Sequence, residues 1–188
     1  CKRAVRWLRK NAARLQLDAN HIGAIGGSAG GHLTALLAVS GPETGIDPVE
    51  DAEHSCRIQA AVPMYPHCAA SWEGRVPPKP YPNLPMFVKP QAEAPALWDS
   101  ASPIKQLSKD DPPMLILHGT ADKTTPVAQS VRFHEAEKKV GVNSDLLIIK
   151  GAPHSYHLQP KQKDLRTIVV EFFDKHLKPD ENAPNQDS

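Results

Sequence analysis

Cysteine is scarce in this sequence: three among 188 residues, at Cys1, Cys56 and Cys68, with no C-x-x-C pair. An odd number without that spacing argues against a disulfide framework or a zinc site, and leaves only a Cys56–Cys68 bridge open. An excess of one charge is also missing. A net charge of +1 gives no basis for binding nucleic acid or a membrane surface. No apolar run approaches the length of a membrane span. The histidines lack the i, i+4 pairing around a carboxylate that a metal-binding helix would show, so no metal and no cofactor is expected. There are no internal repeats. What is present, 40% hydrophobic and 23% charged residues over 188 positions, is near the average for one globular domain. The chain begins at Cys1, without methionine and inside a predicted helix, so the absence of a visible signal peptide leaves the compartment open. The oligomeric state is equally unreadable.

The stretch Ile22-Gly23-Ala24-Ile25-Gly26-Gly27-Ser28-Ala29-Gly30-Gly31-His32-Leu33 organises the rest. It predicts a short buried strand, a tight turn with Ser28 at its apex, and the start of a helix marked by Leu33, Leu36 and Leu37. Gly26-Gly27-Ser28-Ala29-Gly30 fits the G-x-S-x-G turn, in which a serine projects its oxygen clear of a sheet. Glycines two before and two after the serine are expected to relieve close backbone contacts. The helix that follows aims its first N–H groups at the serine, where they can stabilise an oxyanion. A glycine-rich turn without chemistry would share the five-residue pattern. A P-loop is excluded by the lack of Gly-Lys-Ser/Thr, and a dinucleotide loop by the lack of G-x-G-x-x-G.

Before that stretch, Ala4, Val5, Leu8, Ala12 and Leu15 mark the core face of a helix over residues 2–16. Its other face carries Lys2, Arg3, Arg6, Arg9, Lys10 and Arg14 and reads as solvated. The helix after Ser28 is expected to stop at Gly41-Pro42, and residues 43–55 to form a surface loop. Residues 58–64 predict the next strand, ended near Pro63. From Tyr65 to Pro113 the chain is proline-rich. This insertion reads equally as a cap shaping a substrate pocket or as a loop packed by Trp72, Tyr81, Phe87 and Trp98. Residues 114–118 predict a buried strand, Pro126 to Gly141 a helix, and residues 146–149 another buried strand. A final helix is expected from Lys161, with Leu165, Ile168, Val169, Phe172, Phe173 and His176 on one face. The expected organisation is one α/β domain over 1–177, with about four mostly parallel strands flanked by helices, a cap-like insertion at 65–100 and a disordered tail at 178–188.

Ser28, Asp122 and His154 each follow a predicted strand, so a parallel sheet brings them to one edge. A serine hydroxyl needs a base to take its proton and a carboxylate to orient that base. The order serine, aspartate, histidine, in Gly-Gly-Ser-Ala-Gly-Gly-His-Leu (26–33), Leu-His-Gly-Thr-Ala-Asp (117–122) and Gly-Ala-Pro-His (151–154), resembles the esterase/lipase-type α/β-hydrolases. The resemblance is closest to carboxylesterases of the feruloyl- or acetylxylan-esterase-like kind and runs from Lys2 to about Leu177. Arylformamidases and prolyl-oligopeptidase-type enzymes share parts of it.

The resemblance implies Ser28 as nucleophile, His154 as general base and then acid, Asp122 as the orienting carboxylate, and the Ala29 N–H as one oxyanion donor. It implies hydrolysis of a small-molecule ester through an acyl-serine. Activity is expected to fall on protonation of His154, because imidazolium cannot accept the serine proton. His157 is the rival base, whereas His32 and His118 read as structural. Asp110 and Asp111 read as a turn at the wrong edge, and Ser102-Pro103 as a structural return from the insertion. The family's earlier strands and its His-Gly-Gly-type loop, the source of a second oxyanion donor, have no counterpart here. The expectation is therefore a C-terminal portion of the fold with the serine's strand left as an exposed apolar edge, and an inert module stands as the alternative to an enzyme.

Overall fold

The computed structural model describes residues 1–69 and 93–178. Four strands, β1 (Gly23–Gly27), β2 (Ala60–Met64), β3 (Met114–Gly119) and β4 (Ser144–Ile149), form one sheet in the order β1-β2-β3-β4. Every pairing is parallel. Helices α1 (Lys2–Lys10) and α2 (Ala12–Leu15) precede β1, and α3 (Ala29–Val39) follows it. Between β2 and β3 lie α4 (Pro95–Ser100) and α5 (Pro103–Gln106). Helix α6 (Ala128–Val140) joins β3 to β4, and α7 (Arg166–Leu177) follows β4.

The central strands β2 and β3 are buried on both faces, and their successive side chains point to opposite sides of the sheet. Ala61, Met114 and Ile116 pack with Val5 of α1, Ala35 and Ala38 of α3 and Phe133 of α6. Ala60, Val62, Leu115, Leu117 and Ile149 pack on the other side with Leu165 and with Val169 and Phe172 of α7. The result is three layers, helix on sheet on helix. Each fully buried Val, Leu, Ile, Met or Phe side chain among them contributes about 1.5–3 kcal/mol.

Several expectations need correction. The first helix breaks at Asn11, whose side-chain amide donates to the Trp7 carbonyl at 2.8 Å, and Ala4 is exposed. Its charged face is only partly solvated. Lys2 and Arg6 are buried, 9% and 5% exposed, because the acidic loop folds back over them. Lys2 Nζ donates to the Ser40 carbonyl and to Asp47, both at 2.5 Å, and Arg6 pairs with Asp47 at 3.0 Å. Arg9 donates to the carbonyls of Ala19, Ser55 and Arg57.

β2 ends at Met64, one residue past Pro63 as expected, and Pro63 itself still pairs opposite Gly26. It has no N–H to donate, and the β2–β3 register is correspondingly held at Ala61–Met114 and Met64–Leu117 on either side of it. Among the described residues β4 pairs with β3 alone, and its Ile148 is exposed. The last helix starts at Arg166 rather than Lys161. Cys56 and Cys68 are buried and both free, so they form no bridge. Most of the proline-rich insertion, with Trp72, Tyr81 and Phe87, and the tail beyond Lys178 lie outside the described residues. Among the described residues no helix is long and apolar enough to cross a membrane.

Candidate active site

Ser28 stands between β1 and α3 with φ 56° and ψ −116°, a left-handed backbone that non-glycine residues rarely adopt. Its N–H donates to the Met64 carbonyl at 3.1 Å, which locks the turn to the end of β2. A Cβ on Gly26 would lie 2.4 Å from the Gly30 carbonyl oxygen, so glycine is required there. Gly30 is different: nothing among the described residues would meet its Cβ within 4 Å. The second tight position is Gly31, where a Cβ would lie 2.4 Å from the Met64 carbonyl oxygen. The Ala29 N–H opens α3 and, like any first-turn N–H, has no partner within its own helix.

The other two residues arrive on loops laced to each other. A Cβ on Gly119 would come 2.2 Å from the Ala152 carbonyl oxygen, so the loops after β3 and β4 touch at backbone distance. Ala121 N–H donates to the Ala152 carbonyl at 3.0 Å, and Gly151 N–H to Thr120 Oγ1 at 2.8 Å. These contacts bring Asp122 Oδ2 within 2.7 Å of His154 Nδ1, and His154 Nε2 within 2.8 Å of Ser28 Oγ. The acceptor role of a carboxylate assigns the proton to Nδ1. Nε2 is then free to accept from the serine hydroxyl.

Asp122 has a fully buried side chain held by three N–H groups. Oδ1 accepts from Thr124 and Thr125, each at 2.8 Å, and Oδ2 from His154, with His118 Nε2 standing 3.2 Å from Oδ2. Burial pushes this carboxyl up. The hydrogen bonds from His154, Thr125 and Thr124 outweigh it, so the group lies below its ordinary range and stays ionised.

His118 is completely buried and makes no hydrogen bond to Ser28 or His154. Its Nε2–H donates to the Thr125 carbonyl at 3.0 Å while Nδ1 accepts from Ser130 Oγ at 2.7 Å. Burial lowers its proton affinity and keeps it neutral. His32 is likewise buried, with Nδ1 2.8 Å from the His67 carbonyl. His157 lines a 410 Å³ cavity with Gly27, Tyr65 and Tyr156 rather than joining the hydrogen-bonded chain. Asp111 closes a turn by accepting from the N–H and hydroxyl of Ser108, and Ser102 Oγ donates to the Trp98 carbonyl; neither reaches the site. β1, expected to be buried, is only half-buried: among the described residues it pairs with β2 alone, and its Ile25 is 44% exposed.

Sequence reasoning missed Tyr65. Its ring meets the His154 imidazole at a centroid distance of 4.8 Å and an angle of 64°. Nothing in the Met64-Tyr65-Pro66 run signals that contact. Only the position just past a strand end hints at it.

A family model described as BD-FAE matches residues 1–136. Esterase LipQ of Mycobacterium tuberculosis is 34% identical over 90% of this chain and 40% of its own length. A carbohydrate esterase from gut microbiota, solved in truncated form, superposes with a TM-score of 0.76 at 25% identity, covering 93% of this chain and 66% of that one. Esterase Est2 of Thermogutta terrifontis, butyrate-bound, gives a TM-score of 0.71 at 33% identity over 93% of this chain and 62% of that one. The same esterase phosphonylated by sarin gives 0.73 at 31% identity, covering 95% and 66%. The chain thus spans about two fifths of the curated relative and under two thirds of the butyrate-bound structure.

Proposed function

The chain belongs to the BD-FAE family and has an α/β-hydrolase fold, and from that premise we propose that it hydrolyses carboxylic esters through an acyl-serine intermediate. The observation that carries the reading is the His154 imidazole bridging Ser28 Oγ and Asp122 Oδ2. In this reading His154 Nε2 takes the Ser28 proton as Oγ attacks the acyl carbonyl. Asp122 orients the ring and balances the imidazolium that forms. The Ala29 N–H, at the positive end of α3, donates to the tetrahedral oxyanion. Imidazolium then returns its proton to the leaving alcohol, and a water molecule repeats the sequence on the acyl-serine. The butyrate bound to the Thermogutta esterase supports a short acyl group, and its phosphonylation by sarin supports an organophosphorus probe.

The test is labelling of the 188-residue chain with a fluorophosphonate, read by intact mass beside Ser28→Ala, together with turnover of short p-nitrophenyl esters. One adduct that disappears in Ser28→Ala, with turnover lost in parallel, is the expected result. A folded chain that takes no adduct would favour the inert module.

A further inference from the structure

Three of the five non-glycine residues with positive φ among the described residues surround the candidate site: Ser28 at 56°, Tyr65 at 37° and Ser155 at 60°. Such backbone persists only where the surroundings over-determine it. Ser28 is accounted for by its turn, and Ser155 follows the base directly. Tyr65 has no part in the chemistry proposed above, yet its backbone is pinned, with its N–H donating to the Leu117 carbonyl at 2.7 Å.

The side chain is held as firmly. Tyr65 is 6% exposed, and its hydroxyl donates to the Tyr156 carbonyl at 2.8 Å, two residues beyond His154. Its ring meets Tyr156 edge-on at 4.7 Å and His154 at 4.8 Å. The same hydroxyl dictates a neighbour: a Cβ on Gly27 would lie 2.4 Å from it. Tyr65 therefore touches the strand that carries the nucleophile, the base itself and the loop behind the base.

We propose that Tyr65 is a positioning residue for His154, its ring fixing the imidazole between Ser28 and Asp122 and its hydroxyl anchoring the His154–Tyr156 loop, with Gly27 a glycine to admit it. The proposal rests on the reading of Ser28, His154 and Asp122 as the working triad. Losing such a clamp lets the imidazole leave the line between donor and acceptor, and misplacement by about 1 Å costs on the order of a hundredfold in rate.

Two readouts on the full chain test it: the fluorophosphonate labelling rate across pH, and the downfield proton NMR signal of the His154 Nδ1–H bonded to Asp122. Tyr65→Leu is expected to lower the rate about 10- to 100-fold and to broaden or erase the signal while circular dichroism keeps the fold. Tyr65→Phe keeps the ring but loses the loop anchor, and is expected to retain the signal with a rate lowered only a few-fold, less than in Tyr65→Leu. Gly27→Ala is expected to mimic Tyr65→Leu, and to add no further loss in the Tyr65→Leu background. If Tyr65→Leu does not fold, Gly27→Ala decides alone. A folded Tyr65→Leu or Gly27→Ala chain with rate and signal unchanged overturns the proposal. Asp122→Asn and His154→Ala separate it from its premise: if these leave rate and signal intact, or wild type shows neither, the triad reading itself fails.

Discussion

Asp122 and Glu137 are both fully buried carboxyls, and they are opposites. Asp122 lies past the end of β3, where three N–H groups donate to it. Glu137 lies on the last turns of α6, at the other end of the sheet, beside the start of β4. One of its oxygens accepts from Ser144 Oγ, which His134 Nδ1 approaches at 2.7 Å, and the other has no partner among the described residues. Burial raises both groups. At Asp122 the donors win and the carboxyl is ionised; at Glu137 burial wins, Asp111 adds repulsion, and the group is pushed up to about 8. The number of donors supplied, not burial, separates a carboxyl kept ionised from one the fold tolerates only in neutral form.

The largest effect that would break the contrast is Asp122→Asn. An amide keeps the shape but cannot favour the Nδ1–H tautomer of His154. Ester turnover should fall about 10⁴-fold with little change in far-ultraviolet circular dichroism. The same substitution has a stability signature. A carboxyl held below its ordinary value contributes stability above that value, lost as pH falls through the folded one. Asp122→Asn should therefore flatten the acid limb of the pH–stability curve and leave the alkaline limb alone.

Glu137→Gln should act on the opposite limb. A carboxyl raised to about 8 contributes stability that is fully present below its ordinary value of 4.5 and is lost as pH rises through about 8. Urea unfolding of the wild-type chain from pH 5 to 9 should show a decline on the order of a few kcal/mol. Glu137→Gln should remove most of it; an unchanged slope would mean that Glu137 is hydrated or otherwise paired.

Smaller still is Ser144→Ala. It strips Glu137 of its hydroxyl donor and should cost about 1–3 kcal/mol in the same unfolding measurement, with the alkaline loss extending to higher pH, because the Ser144 hydrogen bond holds the carboxyl down against burial. The smallest effect belongs to Ser130→Ala. It removes the Nδ1 partner of His118 without touching Ser28, His154 or Asp122, so turnover should change by a few-fold and labelling should persist.

The parts read correctly from sequence were those whose physics is local. The turn at Ser28 follows from small residues between an apolar run and a helical one. The burial of Met114 to Leu117 follows from an uninterrupted apolar strand. Gly141 ends α6 with φ 92°, as the sequence implied. The parts misread depended on what comes back from far along the chain. Lys2 and Arg6 belong to a helix face that is polar by every local measure, and they are buried only because Asp47 covers them. Gly30 matches the motif without meeting any described atom, while Gly31, outside the five-residue pattern, carries the close contact with β2. Tyr65 gave no local signal, because a tyrosine after a strand has no preferred partner until the neighbouring loops are placed.

The amino-acid sequence by itself determined the alternation of strands and helices, the parallel sheet, and the order in which a serine, an aspartate and a histidine leave the strand ends. These follow from periodicity, turn chemistry and the handedness of strand–helix–strand connections, all properties of segments of a few tens of residues. Only the tertiary structure decided which charged groups are buried and which of two buried carboxyls is ionised. Ionisation depends on the dielectric and the donors around a group, and those are supplied by residues as remote in sequence as His154 is from Asp122.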